Sequence, residues 1–256
     1  MRVCLLPSNL SDPLHLQPLT TFLINDTLAV DSGSLGFALD LDRQRRVRKV
    51  VVTHTHTDHI ASLPVFIAEV FPFLKEPISL YSTAEILGGL RKHVFNNTIW
   101  PDFHQIILLN ASGVSLHYSE VEPRVPFEAE NLQIMLVLVN HVVPTVGVVV
   151  EDGRSAVIFT SDTYHTEEIW KVANGTERLK AIFVDVSYPN EMEALAAASK
   201  HLTPRALDME LSKMNRESQV FAVHLKPQFR AQVIQQLACM NHPNVSACEI
   251  GHEYVF

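Results

Sequence analysis

His54-Thr55-His56-Thr57-Asp58-His59 places four potential metal ligands within six residues. The burst follows directly on Lys49-Val50-Val51-Val52-Thr53, a β-branched apolar run of the kind a fully buried strand needs. Where such a strand ends, the turning backbone releases side chains to converge on a point in space. His54 and His56 stand two apart, so on an extended chain they point the same way and can share one ion. Asp58 and His59, in the turn that follows, can be aimed at a second. Imidazole and carboxylate without thiolate suit zinc, manganese or iron.

Two ions need more ligands than this burst supplies, and three other residues sit where they can help. His141 follows the apolar run Leu132 to Asn140, Asp162 follows Ala156 to Ser161, and His224 lies toward the end of Gln219 to Leu225. Lys226 is two residues past His224, so on an extended strand it shares a face with it and can offer a phosphate contact.

The elements that must position these groups alternate in type along the chain. Thr21 to Ile24 and Leu28 to Asp31 read as a hairpin turning at Asn25 and Asp26, followed by one short helix from Ser34 to about Asp42. Thr83 is placed to cap a helix carrying Ile86, Leu87, Leu90 and Val94. Leu132 to Val139 reads as a strand. Val146 to Glu151 and Arg154 to Thr160 form a second hairpin, with Asp152-Gly153 supplying the positive φ angles of a tight turn. Strands over Leu179 to Val186 and Gln219 to Lys226 then alternate with helices over Glu191 to Lys200, Pro204 to Met214 and Gln228 to Met240. The chain closes on an extended Glu249 to Phe256. Without repeats or a linker, this pattern predicts one layered domain over residues 1–256.

Composition narrows the setting. The 256 residues carry 20 Lys+Arg against 28 Asp+Glu, a formal net charge of −8, with 47% hydrophobic residues and 13 histidines. Disorder and fibrous architecture are excluded. The most apolar stretch, Leu132 to Val150, is broken by Asn140, His141, Pro144 and Thr145, so no bilayer span is expected. Met1 to Leu6 lacks the long apolar core and cleavage site of a signal peptide, and three cysteines at unrelated spacings suggest reduced thiols; a cytoplasmic location is the expectation. The basic run Arg43 to Lys49 enters the strand whose far end bears His54. At about 3.3 Å per residue it stands roughly 15–20 Å from the burst and reads as a solvated face. With a net charge of −8, this favours a small substrate over nucleic acid.

Taken together, His54-x-His56-x-Asp58-His59, His141, Asp162 and His224, with Thr21 to Ile24 and Asp31-Ser32-Gly33, resemble the metallo-β-lactamase superfamily across nearly the whole chain. The resemblance implies an α+β fold, an αββα four-layer sandwich. It also implies two divalent cations, zinc first and manganese or iron as alternatives. One is held by His54, His56 and His141, the other by Asp58, His59 and His224, and Asp162 bridges both. Within the superfamily, Asp185-Val186-Ser187-Tyr188-Pro189, Ser199-Lys200-His201-Leu202-Thr203-Pro204, Glu210-Leu211, His224-Leu225-Lys226-Pro227 and Gly251-His252-Glu253-Tyr254-Val255-Phe256 are similar to the class II cyclic-nucleotide phosphodiesterases. Two positions depart from that pattern: Ser161 stands where glycine is usual, and Val142 where proline is usual.

The resemblance implies hydrolysis of 3′,5′-cyclic nucleotides to nucleoside 5′-monophosphates by a metal-bridging hydroxide. Asp162 and Asp58 would orient the hydroxide, and His201 would serve as proton donor, as a similarly placed histidine does in the related tRNA 3′-processing endonucleases. Two rivals are an RNA-processing endonuclease of the same superfamily and a non-catalytic metal- or nucleotide-binding module. Related enzymes often pair, so a homodimer is compatible.

Overall fold

A computed structural model describes residues 1–8 and 16–256. These group into two compact units, Met1–Glu122 with Ile250–Val255, and Pro123–Glu249 with Phe256.

The first unit is built on strands β1 (Arg2–Leu5), β2 (Phe22–Ile24), β3 (Leu28–Val30), β4 (Lys49–Val51), β5 (Ile78–Ser82) and β6 (Leu116–Glu120), hydrogen-bonded in that order. β2 and β3 join through Asn25, Asp26 and Thr27; Asn25 and Asp26, with φ 49° and 62°, are the central residues of a primed turn closed by the Thr27 amide on the Ile24 carbonyl at 3.1 Å. From β3 to β6 the strands run parallel, so helices must carry the crossovers. Helices α1 (Leu35–Ala38) and α2 (Leu41–Gln44) connect β3 to β4. They replace the single helix expected from Ser34 to Asp42, because the chain extends at Leu39 and Asp40 then caps the second helix, accepting the Arg43 amide at 2.9 Å. Helices α3 (Thr57–Ile60) and α4 (Leu63–Val70) connect β4 to β5, and α5 (Ala84–His93) follows β5. β4 is central and its Val50 and Val51 are buried, the expected consequence of a β-branched run in a parallel sheet.

In the second unit, β7 (Phe127–Ala129), β8 (Leu132–Leu138), β9 (Val146–Glu151) and β10 (Ala156–Phe159) are antiparallel neighbours, while β10, β11 (Leu179–Asp185), β12 (Gln219–Val223) and β13 (Val245–Ala247) run parallel. Helices α6 (Glu168–Gly175), α7 (Glu193–Ser199), α8 (Pro204–Leu211) and α9 (Arg230–Ala238) belong to this unit. Its core joins Trp170, Ile169, Ile182, Val184, Leu207 and Val233. The β9–β10 turn differs from the tight form expected. Only Gly153 has positive φ, and the Asp152 carboxylate instead accepts the amides of Arg154 and Ser155 at 2.9 and 2.8 Å. β12 stops at Val223, short of the expected Lys226, because His224 turns into left-handed backbone at φ 60°.

The last strand, β14 (Glu253–Val255), returns to the first unit and pairs with β1, completing a seven-stranded sheet among the described residues. No helix among these residues is long and apolar enough to cross a membrane.

Candidate functional site

In the first unit, the burst begins three residues past β4, and its geometry is set by the β2–β3 hairpin beneath it. Asp31, at the end of β3 with φ 61°, directs one carboxylate oxygen to the Thr53 amide at 2.8 Å. The other accepts from Thr53 Oγ1 at 2.8 Å and from His59 Nδ1 at 2.7 Å. Since the Thr53 hydroxyl proton is committed to Asp31, its oxygen accepts from His54 Nδ1 at 3.0 Å. One buried carboxylate thus fixes two histidines as Nδ1–H tautomers, which puts the ring lone pair of each on Nε2. The rings of His54 and His56 lie 4.8 Å apart, and those of His54 and His59 4.1 Å. His54 and His56 each present a ligand atom within 4.8 Å of the other, and so do Asp58 and His59.

Backbone holds the turn down. The carbonyl of Asp58 accepts from the Thr20 amide at 2.9 Å and that of His59 from the Ser32 amide at 2.8 Å. Gly33 makes this close approach possible, since a Cβ there would stand 2.0 Å from the Asp58 carbonyl oxygen. The basic run is engaged in local structure: Arg43 pairs with Asp26 at 3.2 Å, and the Arg45 guanidinium lies 4.5 Å over the Phe73 ring.

In the second unit, topology gathers the groups. β10, β11 and β12 are parallel neighbours, and β8 runs in the same direction two strands away, so all four end on one edge of the sheet. Asp185 is the last residue of β11, and beyond the ends of β8, β10 and β12 come His141, Asp162 and His224. Asp162, Asp185, His201 and His224 are all buried and offer ligand atoms within 4.8 Å of one another. Asp162 lies 3.9 Å from His141 Nε2 and 3.6 Å from His224 Nδ1. The His201 ring is 5.1 Å from that of His141 and stacks 5.3 Å from that of His224.

These histidines are also gripped by Nδ1. His141 donates to the Lys200 carbonyl at 3.1 Å while Lys200 Nζ donates to the His141 carbonyl at 3.1 Å. His201 donates to Asp185 Oδ2 at 2.8 Å. Ser187 Oγ donates to Asp185 Oδ1 at 2.7 Å and accepts from His224 Nδ1 at 2.8 Å. Burial pushes His141 below the usual imidazole range, against the opposing charge of Asp162, and so favours the neutral form a ligand needs. Burial alone would raise Asp185, but the charge and hydrogen bond of His201 outweigh it and hold the carboxyl down at about 2. Lys226 Nζ stands 3.4 Å from His224 Nε2. It reaches the cluster although the extended backbone expected to carry it there is interrupted at His224.

Left-handed backbone recurs where the chain must turn sharply beside these groups: at Asp31, at Ser161 (φ 56°), at Lys200 (φ 56°) and at His224. The donor set fits a divalent cation. Four of the five expected imidazole ligands, His54, His59, His141 and His224, have Nδ1 held by a neighbour, and no thiolate is involved. Sequence reasoning passed over the roles of Asp31, Thr53, Asp185, Ser187 and Lys200. Asp185 carried the same signal as His141, Asp162 and His224, a polar group at the end of an apolar run; Ser187 and Lys200 carried none of their own.

A family model described as Anti-Pycsar protein Apyc1 matches residues 19–236. A probable 3′,5′-cyclic-nucleotide phosphodiesterase of Yersinia pestis is 22% identical over 233 residues, a match taking in 81% of this chain and 64% of that protein. The chain therefore spans less than two thirds of that relative. Among solved structures, unliganded yeast PDE1 matches with a TM-score of 0.78 at 17% identity over 98% of both chains. YhfI of Bacillus subtilis, a metallo-β-lactamase fold protein, matches with a TM-score of 0.73 at 13% identity over 99% of this chain and 98% of its own. These likenesses show the fold: the chain has the α+β metallo-β-lactamase fold expected from its motifs.

Proposed function

The chain belongs to the Anti-Pycsar protein Apyc1 family, and from that premise we propose that it is a metal-dependent phosphodiesterase that opens 3′,5′-cyclic nucleotides to nucleoside 5′-monophosphates. The observation that carries this reading is the set of imidazoles anchored through Nδ1 beside buried carboxylates, supported by the likeness to the probable 3′,5′-cyclic-nucleotide phosphodiesterase of Yersinia pestis. His54, His56, His141, Asp58, His59, His224 and Asp162 are the proposed ligands of two divalent cations, with zinc the expected metal. When bound, two such ions supply Lewis acidity toward phosphate oxygens and bring the pKa of a shared water toward 7.

The chain's own residues do the rest. Asp31 and Thr53 hold His54 and His59 in the ligating tautomer, and Lys200 does the same for His141. Asp162 and Asp58 would orient the attacking water by accepting hydrogen bonds from its O–H groups. His201, held by Asp185, presents Nε2 as the acid that protonates the departing ribose oxygen, an effect typically worth roughly 10²–10⁴-fold. Lys226 meets a non-bridging phosphate oxygen. A small substrate and a cytoplasmic setting complete the reading.

The test is a panel of cyclic AMP, cyclic GMP, a precursor tRNA and a β-lactam, given to protein loaded with zinc or manganese. Release of 5′-monophosphates from the cyclic nucleotides is the expected result. Mature tRNA 3′ ends without cyclic-nucleotide turnover overturn it in favour of an RNA-processing nuclease, and inertness toward every diester, activated aryl esters included, overturns it in favour of a binding module.

A further inference from the structure

Ser187 has one hydroxyl proton and three polar neighbours. Asp185 Oδ1 is at 2.7 Å, His224 Nδ1 at 2.8 Å and the His224 carbonyl at 3.2 Å. The carboxylate is the nearest acceptor and the charged one, so it takes the proton, and the serine oxygen is left to accept from the imidazole. Asp185 lies 3.7 Å from His224 Nδ1, too far for a hydrogen bond of its own. Its other oxygen is committed to His201 at 2.8 Å and to the Thr163 amide at 3.2 Å. The carboxylate therefore reaches His224 only through the serine.

We propose that Ser187 is a positioning residue that transmits Asp185 to His224, fixing that ring as the Nδ1–H tautomer so that Nε2 ligates, while the same carboxylate holds His201. His224 stands past the end of β12 in left-handed backbone, outside the strand ladder, and Ser187 Oγ is the hydrogen-bond partner at 2.8 Å from its Nδ1. Ser187 is fully buried, so no solvent molecule substitutes for its hydroxyl without rearrangement. Loss of a partner of this kind costs metal affinity about 10–100-fold in proteins generally.

The proposal rests on the two-cation reading above, and its test separates the two. Zinc is titrated calorimetrically into metal-stripped full-length protein, with folding of each variant confirmed by its melting transition. Wild-type protein is expected to take two ions. Ser187→Ala is expected to take one with unchanged affinity and the other about 10–100-fold more weakly, and Ser187→Thr, which keeps the hydroxyl, is expected to restore wild-type binding. Wild-type protein that takes up no zinc contradicts the two-cation reading itself. Two ions bound by Ser187→Ala as tightly as by wild type overturn the proposal alone, and so does a threonine variant as weak as the alanine one. Should the alanine variant not fold, spectra of zinc-loaded wild-type protein with ¹⁵N-labelled histidine decide the matter: His224 as the Nδ1–H tautomer supports the proposal, and the Nε2–H tautomer overturns it.

Discussion

His201 Nδ1 stands 2.8 Å from Asp185 Oδ2, inside a cluster where both residues are buried. With that nitrogen donating to a carboxylate, the imidazole is turned so that Nε2 is the atom left to exchange a proton. That is the geometry the proposed proton-donor role of His201 calls for.

Replacing it should separate binding from chemistry. His201→Ala is expected to retain its metals and to slow turnover of cyclic AMP by roughly 10²–10⁴-fold, with much smaller loss on an aryl phosphodiester whose leaving group needs no proton. Steady-state rates on both substrates, with metal content measured alongside, check this. Equal losses on the two esters contradict the assignment.

Asp31 serves His59 directly and His54 through Thr53, so its removal should be felt at both imidazoles. Asp31→Ala is expected to weaken metal binding about 10–100-fold and to lower stability by about 1–3 kcal/mol through the unsatisfied buried donors it leaves. Competition with a metal-binding dye and denaturant unfolding of the metal-free protein measure the two effects separately.

Gly33 lies where no Cβ fits, against the Asp58 carbonyl and the backbone of Thr20. Both obstacles are main chain, so neither can swing aside. Gly33→Ala is expected to cost about 3 kcal/mol, a fall in melting temperature of roughly 6–12 °C for a chain of this size. A melting curve within two degrees of wild type contradicts the close approach.

How much of this was legible in the sequence depended on whether a residue's chemistry announced itself. The histidine burst did, because four ligand types in six residues after a buried strand have few other uses. His141, Asp162 and His224 stood out as candidates through position, each at or near the end of an apolar run; β8, β10 and β12 run in one direction, which brings those three residues to one sheet edge. The same rule should have found Asp185. Ser187 and Lys200 were beyond it, since their roles come from hydrogen bonds across 37 and 59 residues of chain, which no local pattern encodes. Of the elements, α4 was missed because Leu-Pro-Val-Phe-Ile-Ala-Glu-Val is apolar on nearly all sides, and β1, β5, β6, β7 and β13 because three- to five-residue strands leave too little alternation to read.

Ser161 explains itself once its backbone is known. With φ at 56°, the position before Asp162 is one that glycine adopts without penalty and serine at a cost of about 1 kcal/mol. Ser161→Gly is therefore expected to leave stability unchanged or raise it by up to about 1 kcal/mol, while the β-branched Ser161→Val lowers it by about 1 kcal/mol or more. Chemical denaturation of both variants gives the comparison, and a more stable valine variant contradicts it.

Asp162 carries the central claim, since the proposed arrangement makes it the ligand common to both cations. Elemental analysis of purified wild-type protein and Asp162→Ala, each equilibrated with zinc and freed of excess, is the direct measurement. About two zinc ions per wild-type chain, with metal and cyclic-nucleotide turnover lost together in the variant, is the result predicted. An unchanged zinc content in Asp162→Ala would contradict the account at its root.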